Sequence, residues 1–156
     1  QVYKKKETIE RPSERYGERC ISRRVGQIFI ENALMNKTIE INGNGDEKLD
    51  FTYIKDFVSG IKKIINNKKS VNQIFNLTYG SGRKINDLLK ILKQYFPNLK
   101  VKYANRDKLT PIRGTLSNTK VRNLLKHKSK FSIDKGYTSY IQWYLDFFKK
   151  NKRFLS

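Results

Sequence analysis

Cysteine and histidine are each present only once in this sequence of 156 residues. With Cys20 alone, no internal disulfide can form, and no disulfide framework needs explaining. With His127 alone, a histidine-rich metal centre and a Ser-His-Asp triad are both excluded. Because His127 lies between Lys126 and Lys128, we expect it at the surface, and we expect no metal site.

Long apolar runs are absent as well. No stretch approaches the roughly 20 residues that a membrane span requires, and no pattern of a secretory signal peptide is seen. The length fits a single domain able to bury a sizeable core. We therefore expect a cytoplasmic protein without a membrane partner, with one domain over residues 1–148 and a basic tail over residues 149–156.

Acidic residues are few relative to basic ones, and the charge pattern allows two interpretations. The 34 Lys and Arg residues against 14 Asp and Glu residues give a formal net charge of +20. Such a balance is typical of nucleic-acid-binding proteins. The basic residues are nevertheless spread along the chain, apart from small clusters at 4–6 and 149–150. We favour a solvated basic surface and keep a nucleic-acid-binding module as the alternative.

Other chemistry-bearing side chains have simpler interpretations. Asp46, Glu47 and Asp50 lie close together but lack the spacing of a calcium-binding loop, so we interpret them as solvated carboxylates of a turn. Cys20 follows Arg19, which could activate a thiol. We favour a buried structural cysteine over a reactive one.

The stretch from Ile39 to Asp56, IEINGNGDEKLDFTYIKD, organises the chain. The alternation of Ile39 and Ile41 with polar residues predicts a short strand. The following Asn-Gly-Asn-Gly predicts a turn, because both residue types tolerate positive φ. A hairpin beside a helix is one structure that this pattern would fit.

Hydrophobic periodicity predicts the remaining elements. Apolar residues recur every three or four positions, as in amphipathic helices, over three stretches: Ile54–Ile65, Ile85–Phe96 and Tyr137–Phe148. Ser22 and Ser117 are predicted N-caps of two further helices. Strands are predicted over Val71–Leu77 and Lys100–Tyr103, whereas Glu10 argues against a buried strand at residues 8–10.

Four segments, in order, resemble one known family. They are RPSERYGER, GNGDEKLDFTYIKD, FNLTYGSG and RGTLSNTKVRNLL with YIQWYLDFF after it, and they are spread over roughly residues 8–148. They are similar to the C-terminal half of the extended short-chain dehydrogenase/reductases, the NAD(P)-dependent nucleotide-sugar epimerases and dehydratases. The resemblance implies an α/β fold: the substrate-binding portion of a Rossmann-type protein, with short strands alternating with about five helices.

The dinucleotide-binding half of that family has no counterpart here. The family binds NAD or NADP through G-x-x-G-x-x-G, and the sequence contains no glycines at this spacing. The family's acid–base pair is Y-x-x-x-K, and no tyrosine is followed by lysine at the fourth position. We therefore predict no catalytic residue and no cofactor bound by this chain alone.

The resemblance implies a site for a nucleoside-diphosphate sugar. The family places one arginine before the D-[FY] pair and another in the late connection, where both contact the diphosphate or nucleotide. Here Leu49 occupies the first position, which leaves Lys48 to supply the charge, and Arg113 occupies the second. Tyr16 and Asn76 are further candidates for lining the sugar cleft.

In the full enzyme the resemblance implies transient oxidation of the sugar, with a complementary N-terminal half or a homodimer as partner. A third interpretation is an inactive remnant of a truncated epimerase gene. Glu10, Glu14 and Arg15 favour it, because the family has small or apolar residues in this segment and an unpaired buried charge is costly.

Overall fold

The computed structural model describes residues 7–106 and 113–151. In these ranges the chain forms short strands and five α-helices in an α/β arrangement. The strands are β1 (Ile9–Pro12), β2 (Glu14–Tyr16), β3 (Ile39–Asn42), β4 (Lys48–Leu49), β5 (Phe51–Tyr53), β6 (Ile74–Leu77), β7 (Arg83–Lys84) and β8 (Val101–Ala104). The helices are α1 (Val25–Leu34), α2 (Ile54–Ile65), α3 (Ile85–Lys93), α4 (Thr119–Leu125) and α5 (Ile133–Lys150).

The described strands associate in pairs that are distant in sequence. Three pairs are parallel, β1 with β6, β2 with β5 and β3 with β8, and β4 pairs with β7 in the antiparallel sense. In the third pair Ile39 lies opposite Val101, and Asn42 lies opposite Ala104. The stretch from Ile39 to Tyr53 is therefore not a hairpin, because its strands pair with three different parts of the chain.

The main core lies where α1, α3 and α5 pack against one another and against β3 and β5. Aromatic rings of α5 fill its centre, with Tyr137 and Tyr140 fully buried. Tyr137 also donates a hydrogen bond to the Gly26 carbonyl at the start of α1, 2.9 Å away. Large buried rings supply the burial that short strands cannot supply by themselves.

A smaller apolar cluster joins α2, β6 and α4. It contains Phe57, Ile64, Phe75, Leu77, Val121 and Leu125. Helix α2 approaches β6 closely at Gly60, where a methyl group would lie 2.7 Å from Leu77 Cδ2. This cluster fixes α4 and the chain that precedes it.

Periodicity predicted α2, α3 and α5, and the structure contains all three. Each has an apolar face turned to a core cluster and basic residues near its C-terminus, as the helix dipole favours. The predicted fold class is also confirmed, since short strands alternate with five α-helices within the described ranges.

Two predicted helix starts are wrong. Helix α1 begins at Val25 with Arg24 at its N-cap, not at Ser22. The Ser22 hydroxyl instead lies 3.2 Å from the Cys20 sulfur. Helix α4 has Asn118 at its N-cap in place of Ser117. The Ser117 hydroxyl still accepts a hydrogen bond from the Thr119 amide, 3.4 Å away, so it satisfies one donor of the first turn although it is not the N-cap residue.

His127 was predicted at the surface, and this prediction is wrong: only 4% of the residue is exposed. Lys126 adopts a left-handed conformation with φ of 50°, which ends α4 and turns the following residue inward. The imidazole then packs beside Gly60 of α2. Burial lowers the pKa of His127 below its ordinary value of 6.5, with the charge of Asp56 opposing the shift and that of Lys63 adding to it.

Strand β1 forms although Glu10 argued against a buried strand. It pairs with β6 alone among the described residues, and Ile9 is 48% exposed. The Glu10 carboxylate has one buried oxygen without a hydrogen-bond partner in the described part of the chain. Parallel strands normally lie inside larger, covered sheets, so this two-stranded pair is unusually open.

Several predictions concern residues at the margins of the described ranges. The basic cluster at residues 4–6 and most of the predicted tail, at 152–156, lie outside the described residues. The first two residues of that tail, Lys149 and Lys150, belong to α5. Over the described ranges, no helix combines the length and apolar character needed to cross a membrane.

Candidate functional site

A tight polar turn joins β3 to β4 and forms one wall of the candidate site. Gly43 and Gly45 have φ of +87° and +75°, values that side chains with a Cβ rarely adopt. The Asn44 side chain accepts a hydrogen bond from the Asp46 amide at 3.0 Å, an Asx-type closure. The predicted Asn-Gly-Asn-Gly turn is thereby confirmed.

The start of α3 anchors this turn. The Asn86 side chain donates to the Asn44 carbonyl at 3.0 Å, and the Asn86 amide donates to the Gly45 carbonyl at 3.0 Å. Lys84 binds the Asp46 carboxylate at 2.8 Å and holds the pKa of that exposed carboxyl below its usual range. The turn is therefore pre-organised, with its acidic side chain already paired.

Parallel pairing brings a second segment to the same place. Because β3 and β8 run in register, their carboxyl ends meet, and the Gly43 amide donates to the Ala104 carbonyl at 2.8 Å. Arg106 follows two residues later and lies beside the turn. Side chains at the carboxyl ends of adjacent parallel strands are well placed to meet a common ligand.

These segments enclose a cavity of about 380 Å³. It is lined by residues 42–48 together with Arg106 and Arg113. The volume is at the lower end of the range for small-molecule sites, roughly 300–1,000 Å³. The exposed side chains of Lys48, Arg106 and Arg113 bring three positive charges to its lining. The lining also holds two carboxylates, that of Asp46, which is paired with Lys84, and that of Glu47. We call it the basic cavity.

Two of the four predicted site residues, Lys48 and Arg113, thus lie on one cavity although 65 positions separate them in the sequence. Arg106 was not predicted. Arg106 lies outside the four segments that resemble the family, and it joins the site only through the pairing of β3 with β8. That long-range pairing is the information that the sequence lacked.

The other two predicted residues lie elsewhere. Tyr16 is 4% exposed and packs against the rings of Tyr53 and Tyr137, with centroids 5.4 and 6.2 Å away. Asn76 lies on β6 and donates to the Ser117 carbonyl at 2.8 Å. Neither lines the basic cavity, and a role in binding sugar stays a prediction for both.

Arg113 has a partner of its own. Its Nη1 donates to Oε1 of Glu14 at 2.6 Å, and the same oxygen lies 3.5 Å from Nη1 of Arg24. The sequence showed Glu14 only as a departure from the family pattern. In the structure its charge is paired, so it does not carry the cost of an isolated buried carboxylate.

The cysteine and the possible metal ligands were also considered in the sequence. Cys20 is half-buried with its sulfur beside Ser22, so it is less enclosed than the structural cysteine that we favoured. Over residues 7–106 and 113–151, no group of three or more His, Cys, Asp and Glu side chains is placed to hold a metal ion.

Comparison with known families gives a match over residues 2–78. The matching family model is described as the NAD dependent epimerase/dehydratase family. An uncharacterized protein of Methanocaldococcus jannaschii is 31% identical over 120 residues, which is 76% of this chain and 36% of that protein.

Solved structures of epimerases share the fold. An epimerase of Methanothermobacter thermautotrophicus superposes with a TM-score of 0.88 at 21% identity, over 97% of this chain and 47% of that one. The UDP-glucose 4-epimerase of Thermotoga maritima, solved with UDP-glucose, gives 0.82 at 25% identity over 91% and 47%. The UDP-glucuronic acid 4-epimerase of Bacillus cereus, solved with UDP-glucuronic acid and NAD, gives 0.81 at 21% over 90% and 45%.

The chain spans just over a third of the curated relative and about half of each of these solved epimerases. Sequence match and fold agree with the resemblance found in the four motifs. The chain is therefore a partial extended short-chain dehydrogenase/reductase and belongs to the NAD-dependent epimerase/dehydratase family.

Proposed function

We propose that this chain is the substrate-binding part of an NAD(P)-dependent nucleotide-sugar epimerase or dehydratase, and that it binds the nucleoside-diphosphate sugar in the basic cavity. The observation that carries the proposal is the meeting of Lys48, Arg106 and Arg113 around one cavity beside an ordered polar turn. Solved epimerases of the same fold hold UDP-glucose or UDP-glucuronic acid, which supports this class of ligand.

Each group of residues has a distinct task in this proposal. The planar guanidinium of Arg113 suits two-point hydrogen bonding to a phosphate, and Lys48 adds a point charge. The exposed Asn42 side chain, at the end of β3, offers both a donor and an acceptor to a sugar hydroxyl. Because α3 anchors the turn, the ligand does not have to order it on binding.

We propose that this chain alone binds no dinucleotide, because two glycine turns of the described residues are already engaged by other groups. The Gly80-Ser81-Gly82 turn is the best-placed glycine turn after a parallel strand, but the Gly80 amide already donates to the Asp50 carboxylate at 3.0 Å. The Gly43–Gly45 turn is closed by Asn86, which occupies the space beside Gly45. The proposal therefore leaves nicotinamide chemistry outside this chain and assigns no catalytic residue within it.

The exposed surface of the β1–β6 pair supports the existence of a complementary N-terminal half. Ile9 and Ile74 on these strands are 48% and 41% exposed. One buried oxygen of Glu10 has no hydrogen-bond partner among the described residues. Both features are expected of a surface that further polypeptide covers.

We therefore expect the native protein, purified from its own cells, to have an intact mass near twice the 18.5 kDa of this chain. A native mass of 18.5 kDa with no co-purifying partner would contradict this part of the proposal.

Arg113→Ala is expected to weaken binding of UDP-glucose by about 1.5–3 kcal/mol, the scale of a hydrogen bond to a charged group. That loss corresponds to a roughly 10- to 150-fold increase in Kd, measured by isothermal titration calorimetry at constant salt. Arg122→Ala is the matched control, because Arg122 is an exposed arginine on α4 that does not line the cavity. Equal affinities of the two variants would remove Arg113 from the site.

A further inference from the structure

Glu14 places a negative charge directly against the proposed diphosphate site. One oxygen of its carboxylate is 2.6 Å from Arg113 Nη1 and 3.5 Å from Arg24 Nη1. The Glu14 side chain is 14% exposed, whereas those of Arg113 and Arg24 are 52% and 45% exposed. A largely enclosed carboxylate is thus joined to two guanidinium groups that reach solvent.

Arg113 belongs to two environments at once. It lines the basic cavity between the polar turn and Arg106, and it also binds Glu14, which does not line that cavity. A guanidinium has five N–H donors. The short bond to Glu14 engages one of its nitrogens, so a phosphate in the cavity competes with Glu14 for the donors of the same guanidinium.

We propose that Glu14 is an internal anion that competes with the ligand's phosphate for Arg113 and thereby weakens nucleoside-diphosphate binding. This inference rests on the proposed function, because it requires that Arg113 meets the diphosphate. Glu14 replaces part of the negative charge that the ligand would bring, and its own charge repels the remainder.

The structure favours competition over positioning by Glu14. Glu14 lies on β2, which pairs with β5. The Glu14 amide also donates a hydrogen bond to the Asp50 carbonyl at 3.1 Å, so the backbone of Glu14 is fixed. Arg113 is the more exposed partner and lies in a segment without helix or strand. On ligand binding, the guanidinium is the group that moves, and it has to leave or share Glu14.

Calorimetric titration with UDP-glucose, and separately with UDP, tests the inference. Glu14→Gln removes the charge and keeps the shape of the side chain, and we expect it to lower Kd by about tenfold, equivalent to about 1.4 kcal/mol. The gain should vanish in the double variant Glu14→Gln/Arg113→Ala, since the competition acts through Arg113. Asp146→Asn makes the same change in net charge at an exposed position on α5 and should leave Kd unchanged.

Thermal unfolding of each variant checks that it is folded. If Glu14→Gln does not fold, Glu14→Ala serves as a second variant that removes the charge. An unchanged or higher Kd for Glu14→Gln, with Arg113→Ala still weakening binding, overturns this inference and leaves the proposed function intact. A gain that persists without Arg113, or that Asp146→Asn reproduces, also overturns it. No binding by the wild type or by either Glu14 variant removes the inference and the proposed function together.

Discussion

Asp56→Ala is expected to lower the free energy of unfolding by about 4 kcal/mol, because two backbone donors would lose a charged partner. Asp56 lies in the first turn of α2, and only 3% of the residue is exposed. It accepts hydrogen bonds from the Lys130 amide at 2.9 and 3.0 Å and from the Phe131 amide at 2.9 Å. These bonds hold the segment between α4 and α5, so the variant loosens the entry to the central helix of the core.

Chemical denaturation of the wild type and of matched variants measures this effect. Asp56→Asn keeps one acceptor oxygen and should cost about half as much. Asp134→Ala is the control, because Asp134 also lies in the first turn of a helix but is 61% exposed, paired with Arg83. An exposed ion pair contributes at most about 1 kcal/mol. A loss for Asp56→Ala no larger than that for Asp134→Ala would contradict the role given to Asp56.

Gly136→Ala is expected to destabilise the protein by about 3 kcal/mol, although alanine is the better helix former by about 1 kcal/mol. A methyl group at Gly136 in α5 would overlap the hydroxyl of Tyr16 and lie 3.1 Å from Cγ of Tyr53. Both rings lie in the core, where neighbours cannot move aside cheaply. The absence of a side chain at Gly136 allows β2 and β5 to pack closely against α5.

A double-mutant cycle identifies the origin of that cost. The Tyr16 hydroxyl is buried without a hydrogen-bond partner in the described part of the chain, so Tyr16→Phe should be neutral or stabilising. Combining it with Gly136→Ala should recover part of the loss, because the closest overlap disappears. Gly114→Ala is the control, since a methyl group there meets no atom within 4 Å. Strict additivity of the Tyr16 and Gly136 effects would show that the two residues do not compete for space.

Features that depend on neighbours in sequence could be predicted. The apolar spacing in α2, α3 and α5 is a property of each segment alone, and the structure contains these helices close to the predicted bounds. The polar turn at residues 42–45 was predictable for the same reason. The strand ends were less so: the predicted strand at Val71 begins at Ile74, after a short helical turn at Lys68–Ser70.

Features that depend on distant contacts could not be predicted. Two flanking lysines suggested a surface position for His127, but the left-handed turn at Lys126 places the ring beneath α2. Glu14 read as an unpaired charge because its partner Arg113 is 99 residues away. Arg106 joins Lys48 and Arg113 only because β3 and β8 end at the same level. The family resemblance indicated two residues of the basic cavity, and the pairing of strands supplied the third.

Hydrogen–deuterium exchange with and without saturating UDP-glucose tests the central claim, that the basic cavity is the nucleotide-sugar site. The account predicts slower exchange in the turn at residues 42–48 and in the segments that carry Arg106 and Arg113, with little change in α2. No protection anywhere in the chain, or protection confined to a surface away from this cavity, would contradict it.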